Sequence, residues 1–146
     1  MKKVVKKIYT FTKYNHHKVM SFEILVLSAY YRLIVLILPK TLLQKKMGKP
    51  NEESGHKISM ESYKEAAMIS RLVNRICDIT PWESKCLVRA LIAKRLLQHK
   101  KISSTIYLGV GKEGGKMKAH AWVRSGEMFV TGGNGEGYVK VACFRN

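Results

Sequence analysis

The spacing of apolar residues changes once along this chain, and that change limits the folds it can adopt. From Thr80 to Lys101, Leu87, Ala90 and Leu91 belong to a broad apolar stripe with helical spacing. The next segment, Ser104–Val110, has the β-branched and aromatic composition of a strand. Helices therefore come first and strands follow, which predicts an α+β fold in which N-terminal helices and a central helix pack on an antiparallel sheet.

The most hydrophobic segment of the chain, Phe22–Leu38, has two interpretations. Glu23 and Arg32 interrupt it, so the apolar runs between them are too short to span a bilayer comfortably. It is either a buried helix that Pro39 ends, or a helix that lies on a membrane surface with the help of flanking lysines. Both interpretations predict a helix.

The rest of the helical half divides at a polar segment. Residues 48–57 are rich in glycine and charge and are expected to link an N-terminal helical region, residues 1–47, to a core of residues 58–146. Ser59–Cys77 has helical apolar spacing, and its first serine is the expected N-cap. At 146 residues the chain is expected to form a single domain, 1–146.

The strands are predicted from alternation and glycine-rich turns. They are Ser104–Val110, Lys118–Arg124, Glu127–Thr131 and Tyr138–Phe144, in the order of an antiparallel meander. A loop, Gly132–Gly137, precedes the last strand. The turn GKEGGK does not match a phosphate-binding loop and leads into no helix.

The charge favours acidic partners. The chain has 27 basic and 10 acidic residues, a formal net charge of +17. The basic residues are scattered and form no arginine-rich or aromatic-basic motif, so nucleic acid is not expected as a partner. The three cysteines make no disulfide framework, and the histidines and cysteines lack metal-ligand spacing. We expect a cytoplasmic protein without metal or cofactor.

Cys86 lies near the beginning of a helix, and its exact position there affects its chemistry. If Thr80 is the N-cap and Pro81 the first helical residue, the thiol falls in the second turn. If Ser84 is the N-cap, the thiol falls in the first turn, where free N–H groups favour the thiolate. We favour the second interpretation.

A histidine with strand character follows this helix. Cys86 on a helix and His120 on a later strand have the sequence order of papain-like and transglutaminase-like thiol enzymes. In such enzymes the imidazole holds the thiol as thiolate and protonates the leaving amine. A buried core cysteine and a hydrogen-bonded strand histidine are the structural alternatives.

Four short motifs together resemble one enzyme family. They are Pro81-Trp82, Cys86-Leu87, Leu108-Gly109-Val110 and His120-Ala121-Trp122-Val123. This combination resembles the B proteins of lasso-peptide biosynthesis, which are transglutaminase-like cysteine peptidases that remove a leader from a ribosomally made precursor. The chain resembles the stand-alone leader-peptidase half of a split B protein.

The resemblance implies residue roles. Cys86 corresponds to the nucleophile and His120 to the general base and acid. The family's third residue is an aspartate about a dozen residues after the histidine, and this chain has none there, so Asn134 and Thr131 are the candidates. For the oxyanion hole we expect the backbone N–H of Cys86 and the indole N–H of Trp82.

The resemblance also implies partners. A precursor peptide is the expected substrate, a small leader-binding protein delivers it, and an ATP-dependent macrolactam synthetase closes the ring. Two alternatives stay open: another transglutaminase-like acyl-transfer enzyme, and a non-catalytic basic module that binds nucleic acid or an anionic membrane. Peripheral membrane contact is compatible with the cytoplasmic location.

Overall fold

Five helices form the first two thirds of the part of the chain that is described. A computed structural model describes residues 2–14 and 17–146, so Met1, Asn15 and His16 of the N-terminal helical region lie outside the described residues. The helices are α1 (Lys2–Tyr14), α2 (Lys18–Ile37), α3 (Lys40–Met47), α4 (Met60–Cys77) and α5 (Cys86–His99).

A five-stranded antiparallel sheet completes the fold. Its strands are β1 (Lys49–Pro50), β2 (Thr105–Glu113), β3 (Lys116–Ser125), β4 (Met128–Thr131) and β5 (Val139–Arg145), in the spatial order β1-β5-β2-β3-β4. The α+β fold class is therefore confirmed. The predicted meander order is wrong for the last strand, because the chain crosses back after β4 and places β5 beside β2.

The predicted cap of α4 is present. The Ser59 hydroxyl oxygen accepts a hydrogen bond from the Ser62 N–H at 3.1 Å, an arrangement worth about 1 kcal/mol of stability. One face of α4 is buried through Ala66, Ile69 and Val73. The helix therefore begins where the sequence predicts and buries the face that its apolar spacing predicts.

Helix α5 is the centre of the core. Ala90, Leu91, Ile92 and Ala93 are four consecutive residues with no exposed surface, so this part of the helix is surrounded on every side. It packs on α2 and α4 and on strands β3 and β4. Two alanines in this stretch keep the helix slim enough for such close neighbours.

The β2–β3 hairpin is longer than the sequence predicts. Its strands extend to Glu113 and from Lys116, and only Gly114 and Gly115 make the turn. Both glycines have positive φ, 58° and 78°, as a two-residue type I′ turn requires. The six-residue turn expected from GKEGGK is therefore mostly strand.

Helix α2 is buried on one face alone. Ser21, Ile24, Ser28 and Tyr31 face the core, whereas the opposite side of the helix is exposed to solvent. The interpretation of Phe22–Leu38 as a buried helix therefore holds for one face alone. By length and composition alone, α2 could also cross a membrane.

The segment 48–57, expected to be a linker, contributes two residues to the sheet. Lys49 and Pro50 pair with Arg145 and Phe144 of β5. Farther on, the Ser54 N–H donates to the Thr105 hydroxyl at 2.7 Å. Most of the segment is exposed, as its polar composition predicts, and these hydrogen bonds attach it to β5 and β2.

Candidate active site

Cys86 is the first residue of α5. Lys85 is the N-cap, one residue after the expected Ser84, and its side chain makes no capping hydrogen bond. The first main-chain hydrogen bond of the helix runs from the Arg89 N–H to the Lys85 carbonyl at 3.1 Å. The N–H groups of Cys86 and the two residues after it therefore precede this ladder and point from the positive end of the helix.

The turn before Cys86 is held by the hydroxyl of Thr80. Its Oγ1 lies 3.1 Å from the carbonyl oxygens of Cys77 and Trp82 and from the Ser84 hydroxyl. Thr80 therefore organises a tight turn and is not the N-cap of α5. The first-turn position of the thiol follows, because the helix begins after this turn.

Arg89 fastens the same turn from the helix side. Its Nε donates to the Ser84 carbonyl at 2.9 Å, and its guanidinium forms an ion pair with Asp78 at 2.7 Å. It also donates to the Asn74 amide oxygen at 3.4 Å. Because Arg89 lies less than one helical turn after Cys86, it connects the start of α5 to the end of α4. Sequence reasoning missed this role of Arg89.

The indole N–H of Trp82 has a hydrogen-bond partner on α2. Its N–H donates to the Ser28 hydroxyl of α2 at 3.0 Å, and Ser28 has no exposed surface. The indole N–H expected in the oxyanion hole is therefore committed to Ser28 in this structure, and its role as an oxyanion donor stays a prediction. Nearby, Arg32 of α2 reaches Glu83 at 3.4 Å, so α2 supports the turn that carries the cysteine.

His120 is oriented by a backbone carbonyl. Its Nε2 lies 2.7 Å from the carbonyl oxygen of Gly132. A carbonyl can only accept a hydrogen bond, so in the neutral ring Nε2 carries the proton and Nδ1 is the basic nitrogen. Gly132 is twelve residues after the histidine, at the spacing where the resembled family has its aspartate.

The imidazole stands in a row of aromatic rings on one face of the sheet. It stacks on Tyr138 with ring centroids 4.6 Å apart and on Trp122 at 5.9 Å, and Trp122 stacks on Tyr107 at 5.5 Å. Neighbouring residues of β3, Ala121 and Val123, face the helices instead. Stacking on Tyr138 and Trp122 therefore fixes the plane of the His120 ring.

Two glycines let the loop before β5 close over this row. A Cβ at Gly132 would lie 2.4 Å from the Ala121 carbonyl oxygen, and one at Gly135 would lie 2.5 Å from the indole of Trp122. Both residues also have positive φ, 75° and 76°, which side chains rarely tolerate. The glycines are therefore needed for the backbone to approach the sheet.

Neither predicted third residue bonds to His120. The Asn134 side chain is exposed and accepts from the Glu136 N–H at 3.0 Å, as in an Asx turn. The Thr131 hydroxyl is buried and has no hydrogen-bond partner in the described part of the chain. Both candidates were side chains, whereas the group that bonds to the imidazole is a backbone oxygen.

The thiols differ in their surroundings. Cys77 is buried, and burial raises the pKa of its thiol. Cys86 and Cys143 are half-buried and free. Within the described residues the Cys86 thiol and the His120 ring share no hydrogen bond. Cys86 packs against the helix-facing core, whereas the His120 ring stands in the aromatic row on the other face of β3. The structure therefore places nucleophile and base on their predicted elements without bringing them together.

A buried polar cluster lies beside the aromatic row. Arg124 is 4% exposed, and its Nε donates to the Tyr107 hydroxyl at 2.9 Å. Its other nitrogens donate to the Ser54 and Gly126 carbonyls, and Tyr107 donates to Glu53 at 2.9 Å. This cluster fastens residues 53–56 to the sheet. Sequence reasoning missed it, because the partners are separated by up to 70 residues.

No metal site is evident in residues 2–14 and 17–146. Among them, no three histidine, cysteine or acidic side chains are placed to hold an ion. The chemistry available at the site is that of a thiol at a helix N-terminus and an oriented imidazole.

Comparison with known families gives one match. The transglutaminase-like superfamily matches residues 30–143, which is most of the chain and includes Cys86 and His120. The mixed helix and antiparallel sheet architecture is consistent with that match. No curated protein and no solved structure matches the chain.

Proposed function

Because this chain belongs to the transglutaminase-like superfamily, we propose that it is a cysteine peptidase that removes the leader from a lasso-peptide precursor. The superfamily covers cysteine peptidase and acyl-transferase activities. The lasso-peptide precursor is proposed as the substrate because the sequence resembles the leader peptidases, a narrower group than the superfamily that matches.

One observation carries the enzymatic part of the proposal. His120 donates through Nε2 to the Gly132 carbonyl at 2.7 Å, so Nδ1 is left to act on a thiol. Together with Cys86 at the first position of α5 and a superfamily match that includes both residues, this arrangement supports thiol chemistry. The mechanism requires the two groups to approach each other when substrate binds.

In the proposed acylation step, Nδ1 of His120 takes the proton of the Cys86 thiol. The thiolate attacks the carbonyl carbon of the scissile peptide bond, a C–S bond forms, and the carbonyl electrons move to oxygen. The backbone N–H of Cys86 at the helix N-terminus is the proposed donor to that oxyanion. The imidazolium then gives its proton to the leaving nitrogen, and the C–N bond breaks.

In the proposed deacylation step, water attacks the thioester that remains on Cys86. His120 accepts a proton from this water, and the second tetrahedral intermediate collapses with cleavage of the C–S bond. The leader is released with a free carboxylate and the thiolate is restored. The core peptide, released earlier, has the free amine that ring closure needs.

The proposed partners follow from this product. A small leader-binding protein would present the precursor, and an ATP-dependent macrolactam synthetase would use the new N-terminus. The net charge of +17 would favour an acidic leader or partner surface.

A mass-spectrometric assay tests the peptidase activity. Precursor peptides are incubated with wild type, Cys86→Ala, His120→Ala and the control Cys143→Ala, each with and without the leader-binding protein. The proposal predicts two hydrolysis fragments with wild type and Cys143→Ala, and none with the other two variants. Cleavage that survives Cys86→Ala would refute the mechanism.

The same assay separates the acyl-transfer alternative, which the superfamily match leaves open. With an added amine, an acyl transferase forms a new amide instead of a free carboxylate. A product heavier than the hydrolysis fragment by the mass of the amine less water would favour that alternative over the peptidase.

A further inference from the structure

The outer face of α2 is a continuous apolar surface. It consists of Val19, Phe22, Leu25, Val26, Tyr30, Leu33, Leu36 and Ile37, whose exposed fractions range from 37% to 84%. At 1.5 Å per residue this face is about 27 Å long. Apolar surfaces of this extent are rare on soluble proteins and mark interaction sites.

The charged residues inside α2 point away from this face. Glu23 reaches His99 of α5 at 4.0 Å, and Arg32 reaches Glu83 at 3.4 Å. The two charges that interrupt the hydrophobic segment in the sequence therefore lie at the borders of the outer face, directed towards partners on the rest of the protein, and leave that face continuous. The outer face of α2 carries no ionisable group except the Tyr30 phenol.

The inner face of α2 is tied to the rest of the molecule. Ser28 accepts the indole N–H of Trp82 at 3.0 Å, and Tyr31 is 7% exposed. A helix that crossed a bilayer would have to break these contacts and carry Arg32 into hydrocarbon. A position in the plane of the membrane surface, with the outer face of α2 down, keeps all of them.

Basic residues flank α2 on both sides along the chain. Glu23 is the sole acidic residue among the first 51, which contain eleven lysines and arginines. Exposed lysines lie before the face in α1 and after it in α3, namely Lys2, Lys3, Lys6, Lys7, Lys40, Lys45 and Lys46. An apolar helix face bracketed by lysines fits acyl chains below and anionic headgroups around it.

We propose that the outer face of α2 docks this protein, in the plane of the bilayer, on a membrane surface that contains anionic lipid. A protein partner fits less well, because protein interfaces pair about one hydrogen bond per 100–200 Å² and this face offers little beyond the Tyr30 hydroxyl to pair. The inference is independent of the peptidase proposal.

Vesicle co-sedimentation tests the docking. The full-length chain is mixed with vesicles of phosphatidylcholine alone, or with about one third phosphatidylglycerol. We expect binding to the anionic vesicles that is at least tenfold stronger than to the neutral ones and that weakens with salt. No binding to anionic vesicles, or equal binding to both, would overturn the proposal.

A matched pair of variants locates the surface. Phe22→Glu/Leu33→Glu changes the outer face of α2, and Met60→Glu/Met117→Glu changes two equally exposed apolar residues elsewhere, 72% and 65% exposed. The first pair is expected to reduce vesicle binding at least tenfold, and the second pair less than threefold. Because the substitutions are on the surface, circular dichroism and thermal unfolding should show that both variants fold. Unchanged binding by the first pair would refute docking through this face.

Two further outcomes would also overturn the proposal. If bound protein survives both high salt and alkaline carbonate, α2 spans the bilayer instead of lying on it. The protein could instead be a stable dimer that does not bind anionic vesicles. If Phe22→Glu/Leu33→Glu dissociates such a dimer, the outer face of α2 is an interface between two copies.

Discussion

The carbonyl oxygen of Gly132 lies 2.7 Å from Nε2 of His120 and performs the orienting contact for which thiol enzymes use a side chain. A carbonyl carries no full negative charge, so it fixes the tautomer and ring orientation but stabilises an imidazolium less than a carboxylate does. The contact depends on the backbone path of a glycine.

We therefore expect Gly132→Ala to lower kcat/KM by about 10- to 100-fold, because misplacement of a catalytic group by about 1 Å has this cost. A Cβ there would lie 2.4 Å from the Ala121 carbonyl oxygen, so the carbonyl of residue 132 must move. Gly133→Ala is the control, since Gly133 also has positive φ, 68°, but has nothing within 4 Å of its Cβ position. Equal losses in both variants would contradict the orienting role.

Trp82→Phe separates a structural indole from an oxyanion donor. Loss of the hydrogen bond to Ser28 should lower the free energy of unfolding by about 1 kcal/mol, with a packing loss in addition. Ser28 still donates to the Leu25 carbonyl at 2.7 Å, so its hydroxyl stays satisfied. We expect kcat within about threefold of wild type, whereas loss of an oxyanion donor would cost about 10²–10³.

A double-mutant cycle with Ser28→Ala provides the control for that prediction. The two substitutions remove the same hydrogen bond, so their effects on unfolding should be less than additive. Full additivity in chemical denaturation would show that the contact contributes nothing measurable.

Arg89→Gln should lower activity more than its effect on folding explains. Its bonds to Ser84 and Asp78 hold the turn before the nucleophile, and loss of a fixed turn broadens the positions of Cys86. We expect kcat/KM to fall about tenfold. Arg71→Gln on α4, an exposed arginine, is the control and should retain activity. An Arg89→Gln enzyme with wild-type kcat/KM would exclude the positioning role.

The thiols should differ in their rate of alkylation. Burial raises the pKa of Cys77 and blocks access to it, so iodoacetamide should modify Cys77 slowly at neutral pH and faster as the pH rises. Cys86, half-buried at the helix N-terminus, should react first, and its modification should track loss of activity. Peptide mapping identifies the modified residue. Rapid loss of activity with Cys77 alone modified would reverse the assignment.

Glu53 should make stability depend on acidic pH. Hydrogen bonds from Lys140 and then Tyr107 lower the pKa of its carboxyl. Because the folded pKa is lowered, the stabilisation is present above the ordinary carboxyl pKa of about 4.3 and is lost as the pH falls through the folded value. Below about pH 5, the melting temperature of Glu53→Gln should therefore fall less steeply with decreasing pH than that of wild type. Glu136→Gln, an exposed loop residue, is the control, and an unchanged curve for Glu53→Gln would contradict the prediction.

Local signals in the sequence predicted the elements that carry the site. Apolar spacing located α4 and α5, and Ser59 marked the start of α4, because these features depend on residues within one or two helical turns. The expectation that Cys86 lies in the first turn of its helix agrees with the structure. The cap shifted by one residue to Lys85, because the hydrogen bonds of Thr80 and Arg89 decide where the turn ends.

Contacts between residues far apart in the sequence could not be predicted from such local signals. The sequence predicted β5 beside β4, whereas the loop over Trp122 carries β5 to the free edge of β2. Likewise, residues 48–57 look like a linker until Arg124 and Thr105, more than 50 residues away, bind their backbone. Loop composition does not state which strand edge a returning segment will reach.

The sequence by itself determined that a cysteine begins a helix, that a histidine lies on a following strand, and that an apolar helix precedes both. Only the tertiary structure decided which group orients His120 and which apolar side of α2 is exposed to solvent. The physical reason is that every residue has a carbonyl, so Gly132 has no distinguishing side chain, and its role arises from where the folded backbone passes. In the same way, the position of Glu23 and Arg32 at the borders of the apolar face depends on partners in α5 and the turn before it.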